Sequence, residues 1–259
     1  MTKPIRPDDQ VRPRQLQIAS DIRARILSGD LRPGDRIPST ETLKAEYGIV
    51  DKTAQRAIAI LKAEGFVEGR PRSGTFVTGK QPVVIRASHY PRPAGSGEPY
   101  AWMTDHASQG RAATTELISV GEEPAPAQVA AAFGITTGAL VVVRHQLLLL
   151  DGEPAELVWN YYGTDLARGT ALAEPRKIKG GSPRLLAELG QPLRHAVDQV
   201  GARLATVEEF VALKLPEDMP VLRQFRVVYT DSDRPVEATI MIKASQQYEI
   251  AYDLPAPPD

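Results

Sequence analysis

The chain has no cysteine. That absence removes disulfides, thiolate metal sites and a cysteine nucleophile together. Histidine is scarce: His89, His106, His145 and His195 are scattered, and none stands at a metal-ligand spacing such as His-x-x-x-His. Long apolar runs are missing as well. Runs reach only five residues, as at 139–143, with 147–150 soon after, far short of the roughly 20 residues that cross a bilayer. The first nine residues are polar and carry no apolar core of a secretory leader. The expectation is a cytoplasmic protein that makes no use of a membrane, a metal or a cofactor. No Gly-x-Ser-x-Gly elbow and no convincing acid/base pair is found, so catalysis is not expected. The stretch from Gly74 to Lys80 nearly spells a phosphate-binding loop. However, Gln81 replaces the hydroxyl needed for magnesium, and Pro82 stands where a helix should start.

What is present suits a soluble globular chain: 259 residues, 42% hydrophobic and 24% charged, enough for two separate cores. The net charge of −1 hides an asymmetry. Residues 1–80 carry 15 Lys and Arg against 10 Asp and Glu, a net of +5; residues 81–259 carry 16 against 22, a net of −6. A basic head on an acidic body is expected if only the head meets a polyanion.

Within the head, Leu16, Ala19, Ile22, Ile26 and Leu27 share one helical face, which predicts a helix over 14–28 ended by Gly29. Pro33-Gly34 marks a turn. Ser39 can cap a second helix that Gly48 breaks, and Asp51 a third, with Ala54, Ala57, Ile58 and Leu61 inward and Gly65 closing it. Two short strands, 66–69 and 75–78, flank the basic hairpin Arg70-Pro71-Arg72-Ser73-Gly74. A helix lying in a major groove reads base edges from its N-terminal turn, and here that turn carries Asp51, Lys52, Thr53, Gln55 and Arg56. Lys52 and Arg56 lie four apart on one face. Gln55 suits adenine, and Arg56 guanine or a phosphate. Arg70 and Arg72 are placed for the backbone or minor groove. The plainer alternative is a small helical domain with solvated charges.

Leu31-Arg-Pro-Gly-Asp-Arg-Ile-Pro-Ser39, then Leu43, Tyr47-Gly-Ile-Val-Asp-Lys-Thr53, Arg56-Ala57, Leu61, Glu64-Gly-Phe-Val67 and Ser73-Gly-Thr-Phe-Val77 closely resemble the GntR family of bacterial regulators. The resemblance implies a winged helix-turn-helix over 14–79 whose third helix enters the major groove. By that resemblance, Lys52, Thr53 and Arg56 align with residues that touch DNA. Pro38, Ser39 and Thr40 open the second helix towards a phosphate, and Ser73 and Gly74 fall at the wing tip. Two departures bear on the operator sequence. Glu41 stands where many members carry Arg, and Asp51-Lys52 where many carry Ser-Arg.

A proline- and glycine-rich stretch, 80–112, is expected as a linker whose far end, with Tyr100 and Trp102, packs against something. Thereafter strands are expected over 114–120, 141–150, 156–162, 199–203, 221–230, 236–242 and 248–252. The helices expected are 127–133, 184–189 (capped by Ser182) and 207–213. Their order suggests an α+β domain around an antiparallel sheet. Residues 1–13 and 255–259 are expected as arm and tail. Val141-Val-Val-Arg144, Leu150-Asp-Gly-Glu-Pro154, Tyr161-Tyr162, Pro220-Val-Leu-Arg223 and Arg234-Pro-Val-Glu237 resemble the UTRA domain of HutC-type GntR regulators. That implies a chorismate-lyase-like fold over 113–254 that binds a small effector and forms homodimers. In sugar-phosphate-sensing members an Arg-x-Arg pair grips the phosphate. The matching positions here are Gln146 and Leu148, so the effector is not expected to be a sugar phosphate.

Arg144 and Arg223 are candidates to hold an anion, or else paired structural arginines. Glu237 and Tyr248 align with pocket positions, though Glu237 also suits a surface strand. Trp159, Tyr161 and Tyr162 form either an aromatic wall or core. The resulting expectation is a homodimeric repressor on a near-palindromic operator of double-stranded DNA, modulated by an effector. The alternative is a ligand-independent repressor, of the kind that would suit a plasmid or mobile element, with the C-terminal domain serving only to dimerise. An enzyme with an accessory DNA-binding domain is a third reading.

Overall fold

The computed structural model describes residues 13–79, 82–86, 98–217, 219–231 and 233–252. The expected arm (through residue 12), parts of the linker and the tail lie outside them. The chain divides into two compact units, Met1–Pro82 and Val83–Asp259.

The first unit holds helices α1 (Arg14–Leu27), α2 (Thr40–Tyr47) and α3 (Asp51–Ala63) and a hairpin of β1 (Val67–Arg70) and β2 (Gly74–Val77). Ile18, Ile22 and Ile26 of α1 pack with Leu43, Ala54, Ala57, Leu61 and Phe66 in one core. The alanines of α3 keep that face small, so α1 can approach closely. Ser39 caps α2 as expected, its side chain accepting from the Thr42 amide at 3.1 Å. Asp51 does not cap α3. Val50 takes the cap position in extended backbone with no side-chain bond, and Asp51 is the first helical residue. There its carboxylate still favours the positive helix end, and it binds Lys44 (3.2 Å) and Gln55 (2.9 Å). A buried pair, Arg23–Glu64 at 2.6 Å, ties α1 to the end of α3. The hairpin gains a third chain from 34–37: the Ile37 amide donates to Thr75 O (3.0 Å) and the Val77 amide to Asp35 O (2.9 Å).

The second unit is built on a six-stranded antiparallel sheet in the order β4-β5-β6-β9-β8-β7. The strands are β4 (Ala113–Pro124), β5 (Leu140–Leu150), β6 (Glu153–Gly163), β7 (His195–Leu204), β8 (Pro220–Tyr229) and β9 (Pro235–Ala244). Helix α5 (Ala127–Phe133) packs on one face with Tyr161, Phe225 and Val227. Helix α8 (Val207–Ala212) lies on that face too, and the residues after it pack with Leu157 and Ile242. Over the other face lie α4 (Ala101–Ser108), the short α6 (Thr164–Ala167), a 3-10 turn (Ala171–Ala173) and α7 (Gly181–Glu188). Strands β3 (Val83–Arg86) and β10 (Tyr248–Ala251) pair in parallel as a separate ribbon.

Three expectations shift. The stretch read as linker contains β3 and α4. A four-residue strand and an eight-residue helix are too short to show periodicity, and β3 pairs with a strand about 165 residues later in the chain. Helix α7 starts at Gly181 rather than after Ser182, and its cap position, Gly180, makes no side-chain bond. Strand β10, expected as the last strand of the domain, joins β3 rather than the main sheet.

Candidate nucleic-acid interface and ligand cavity

Helix α3 separates its residues sharply. Ala54, Ala57 and Leu61 are wholly buried, while Lys52, Gln55 and Arg56 are exposed on the outer side of the first two turns. Among the described residues, neither Lys52 nor Arg56 has an ion-pair partner. Thr53 is half-buried. Gln55 and Asp51 are already engaged with each other, and Asp51 with Lys44. The first two turns therefore offer two uncommitted cations beside one amide held by Asp51.

The wing places its groups differently. Arg70 binds Glu68 at 3.0 Å and lies 4.6 Å over the Phe76 ring. Arg72, at the tip with φ 60°, has no ion-pair partner among the described residues. Ser73 bonds back to the Pro71 carbonyl at 3.3 Å. Gly74 adopts φ +115°, and a Cβ there would meet Arg36 Nε at 2.7 Å. Arg36 thus joins the basic wing, although its reach to the hairpin is non-local and no nearby spacing signals it. Ser39 spends its hydroxyl on the α2 cap, next to half-buried Pro38 and Thr40.

The second unit forms a partly open cavity of about 1520 Å³ against one face of the sheet. Strand alternation decides which side chains reach it. Arg144, Gln146 and Leu148 of β5, Glu156, Asn160 and Tyr162 of β6, Gln224 and Arg226 of β8, and Glu237, Thr239 and Lys243 of β9 all line it. Trp159, Tyr161 and Arg223 fall on the opposite face. Trp159 and Tyr161 join the core under α5, and Arg223 Nη2 donates to Gln128 Oε1 on that helix at 2.5 Å. The aromatic wall is therefore split: of the three, only Tyr162 faces the cavity. Tyr248 is buried beside Val83 and Leu150, behind the lining.

Most charges on the cavity floor are committed. Arg144 is 3% exposed, and its guanidinium donates to the carbonyls of Ala171, Leu172, Glu174 and Arg176 at 2.6–3.2 Å. Burial lowers its pKa. It acts as a strut for the chain over the cavity, and four carbonyls leave it little to offer an anion. Arg226 pairs with Asp198 (2.5 Å) and Lys243 with Glu156 (2.6 Å). Burial drives the Lys243 pKa down. Glu237 accepts from Tyr162 (2.7 Å) and Thr239 (3.2 Å), Thr239 from Asn160 (3.1 Å), and Asn160 from Gln146 (3.1 Å). Burial, then Glu237, push the Tyr162 hydroxyl well above its ordinary range. Tyr100 is half-buried and lines the cavity. Its ring lies so close to Gly181, at φ +81°, that a Cβ there would come within 2.4 Å. Sequence reasoning missed Tyr100, Trp102, His106, Glu156 and Lys243 as lining. The alternation of β6 and β9 was the signal for the last two.

Comparisons with known proteins agree with this architecture. The model for bacterial regulatory proteins of the gntR family matches residues 14–77, and the UTRA domain model matches 108–249. An HTH-type transcriptional regulator of Streptomyces coelicolor is 27% identical over 95% of this chain and 94% of its own length. The probable transcriptional regulator PhnF of Escherichia coli is 26% identical over 86% of this chain and 88% of its own. A crystal structure of a GntR-family transcriptional regulator superposes with TM-score 0.59 at 29% identity, covering 95% of this chain and 99% of that one. PhnF from Mycobacterium smegmatis shares the fold, with TM-score 0.60 at 20% identity over 93% and 100%. No described helix is long and apolar enough to cross a membrane. With a helix-turn-helix reader in its first unit and a UTRA domain in its second, the chain belongs to the UTRA-containing branch of the GntR transcriptional regulators.

Proposed function

We propose that the protein is a homodimeric repressor that binds a near-palindromic operator, and that a small molecule in the second unit modulates this binding. The observation that carries the DNA half is the pair of uncommitted, exposed cations Lys52 and Arg56 on the first two turns of α3, with Arg72 at the wing tip. Lys52 and Arg56 serve base edges or phosphates, and Arg72 the backbone or minor groove. A second reader supplied by a partner copy would reach the next major groove. Support for pairing comes from the outer edge strand β7 and the helix after it, where Val200, Leu204, Val207 and Val211 are 42–82% exposed. Exposed apolar side chains on a sheet edge invite a partner.

The cavity favours an effector-responsive regulator over a ligand-independent one, because a domain that only dimerises has no use for so large a cavity set with polar side chains. Gln146 and Leu148, both lining it, offer no charged fork for a phosphate. An effector would act by favouring one placement of the paired readers over another. The test is a gel shift on the protein's own promoter region. Lys52→Ala and Arg56→Ala should each weaken binding by about 1–3 kcal/mol if they contact bases, with a shallower salt slope. Undiminished binding by the double variant would remove α3 from the mechanism.

A further inference from the structure

The outer face of α3 holds a contact that bears on which base the reader selects. At 3.6 residues per turn, Lys52, Gln55, Arg56 and Ala59 fall on the side away from buried Ala54, Ala57 and Leu61, and all four are exposed. Lys52 and Arg56 end in charges, which serve phosphates as readily as bases. Gln55 ends in a neutral amide, the group of this face best matched to a base edge. It is not loose. Its Nε2 donates to Oδ2 of Asp51, four residues earlier, at 2.9 Å. Oδ1 of Asp51 in turn lies 3.2 Å from Nζ of Lys44 on α2. A chain Lys44–Asp51–Gln55 thus joins the two helices of the helix-turn-helix.

Donor and acceptor roles fix what the amide presents. A carboxylate only accepts, so the atom of Gln55 that faces Asp51 is its nitrogen. That nitrogen has two hydrogens, and Asp51 holds one. What remains for a base is one N–H donor and the Oε1 acceptor. Adenine shows the complementary pair in the major groove, N7 accepting and N6 donating. Guanine shows two acceptors, O6 and N7. A free glutamine can meet both with its two hydrogens, but Gln55 on Asp51 has only one left. Cytosine and thymine each show one hydrogen-bonding group there and satisfy half the amide. Asp51 therefore removes the guanine alternative. It also orders the Gln55 side chain before DNA arrives, which spares part of the cost of binding. The negative charge of Asp51 would repel a duplex, and Lys44 offsets it.

Building on the operator reading above, we propose that Gln55 reads an adenine in each half-site, and that Asp51, anchored by Lys44, is a positioning residue that sets this choice without itself touching a base.

The test uses the full chain and selects bound duplexes from a random library. The selected sequences are compared for the wild type, Gln55→Ala, Asp51→Ala and Asp51→Ser, with melting temperatures to check folding. Both replacements of Asp51 are too short to reach Gln55, so one suffices if the other folds poorly. The wild type should enrich adenine about tenfold or more over other bases at one position of each half-site. Gln55→Ala should lose that preference and keep those at the other positions. The Asp51 variants should select the same site elsewhere, with guanine rising to within about threefold of adenine at that position. A merely structural defect would weaken all positions together. A wild-type site whose adenines all survive Gln55→Ala, or that has none, would overturn the proposal and leave the operator reading standing. Adenine preferred over guanine as strictly in the Asp51 variants as in the wild type would overturn the role of Asp51. Enrichment of no sequence by the wild type would count against both readings.

Discussion

Replacing Glu64 with glutamine tests what fixes the reading helix in the first unit. Glu64 ends α3, and its carboxylate takes three hydrogen bonds from Arg23 of α1, at 2.6, 2.7 and 3.0 Å. The two side chains are 5% and 7% exposed. Glutamine keeps the size and one acceptor but removes the charge, leaving a buried guanidinium uncompensated. Removing one partner of a buried pair costs about 3–5 kcal/mol. Arg23 retains Ser20 at 3.4 Å and the Phe66 ring at 5.8 Å, so the lower end, about 3 kcal/mol, is the expectation. In a unit of this size that lowers the melting temperature by roughly 12–24 °C. Denaturation followed by amide hydrogen exchange in α1 and α3 reads this unit alone. Two controls separate the cause. Raising the salt concentration should leave the loss unchanged, because the pair is shielded from solvent. The double variant Arg23→Leu/Glu64→Leu should recover much of the stability, because no charge is left buried. If Glu64→Gln costs under about 1 kcal/mol, the pair behaves as a surface contact and the argument fails.

Two further outcomes follow from single features. Gly74→Ala forces a side chain into φ +115° and against Arg36, so it should cost about 1–3 kcal/mol and weaken operator binding through the wing; a gel shift and melting curve indistinguishable from wild type would refute the strain. In the second unit, burial lowers the pKa of His106 and His145 below 6.5, so each stays neutral when folded while the unfolded rings take up protons. Stability is then full above 6.5 and falls as the pH drops through and below that value. His145→Phe, which keeps a ring against Trp159, should flatten part of that slope, and an unaltered slope would clear His145 of responsibility.

The first unit could be read from its sequence because its determinants are local. Helix faces repeat every three or four residues, Ser39 sits three residues from the amide it caps, and the wing turns within five residues. The missed Asp51 shows the limit even there: whether a residue caps a helix or begins it depends on one residue of backbone geometry, which composition does not fix. The second unit depends on non-local placement. Tyr161 and Tyr162 are neighbours in sequence, yet one faces the helix-covered core and the other the cavity, because successive strand residues point to opposite faces. Treating Trp159, Tyr161 and Tyr162 as one wall ignored that period of two. Following it from Glu237 along β9 leads to Thr239 and Lys243, and across to Glu156, directly opposite Lys243 on β6. His106 and Trp102 had no such handle. They enter the cavity on a short helix in a stretch dominated by proline and glycine, and only the fold brings them to Glu156. The residues that decide what the cavity can hold are thus those whose positions come from long-range packing rather than from local pattern.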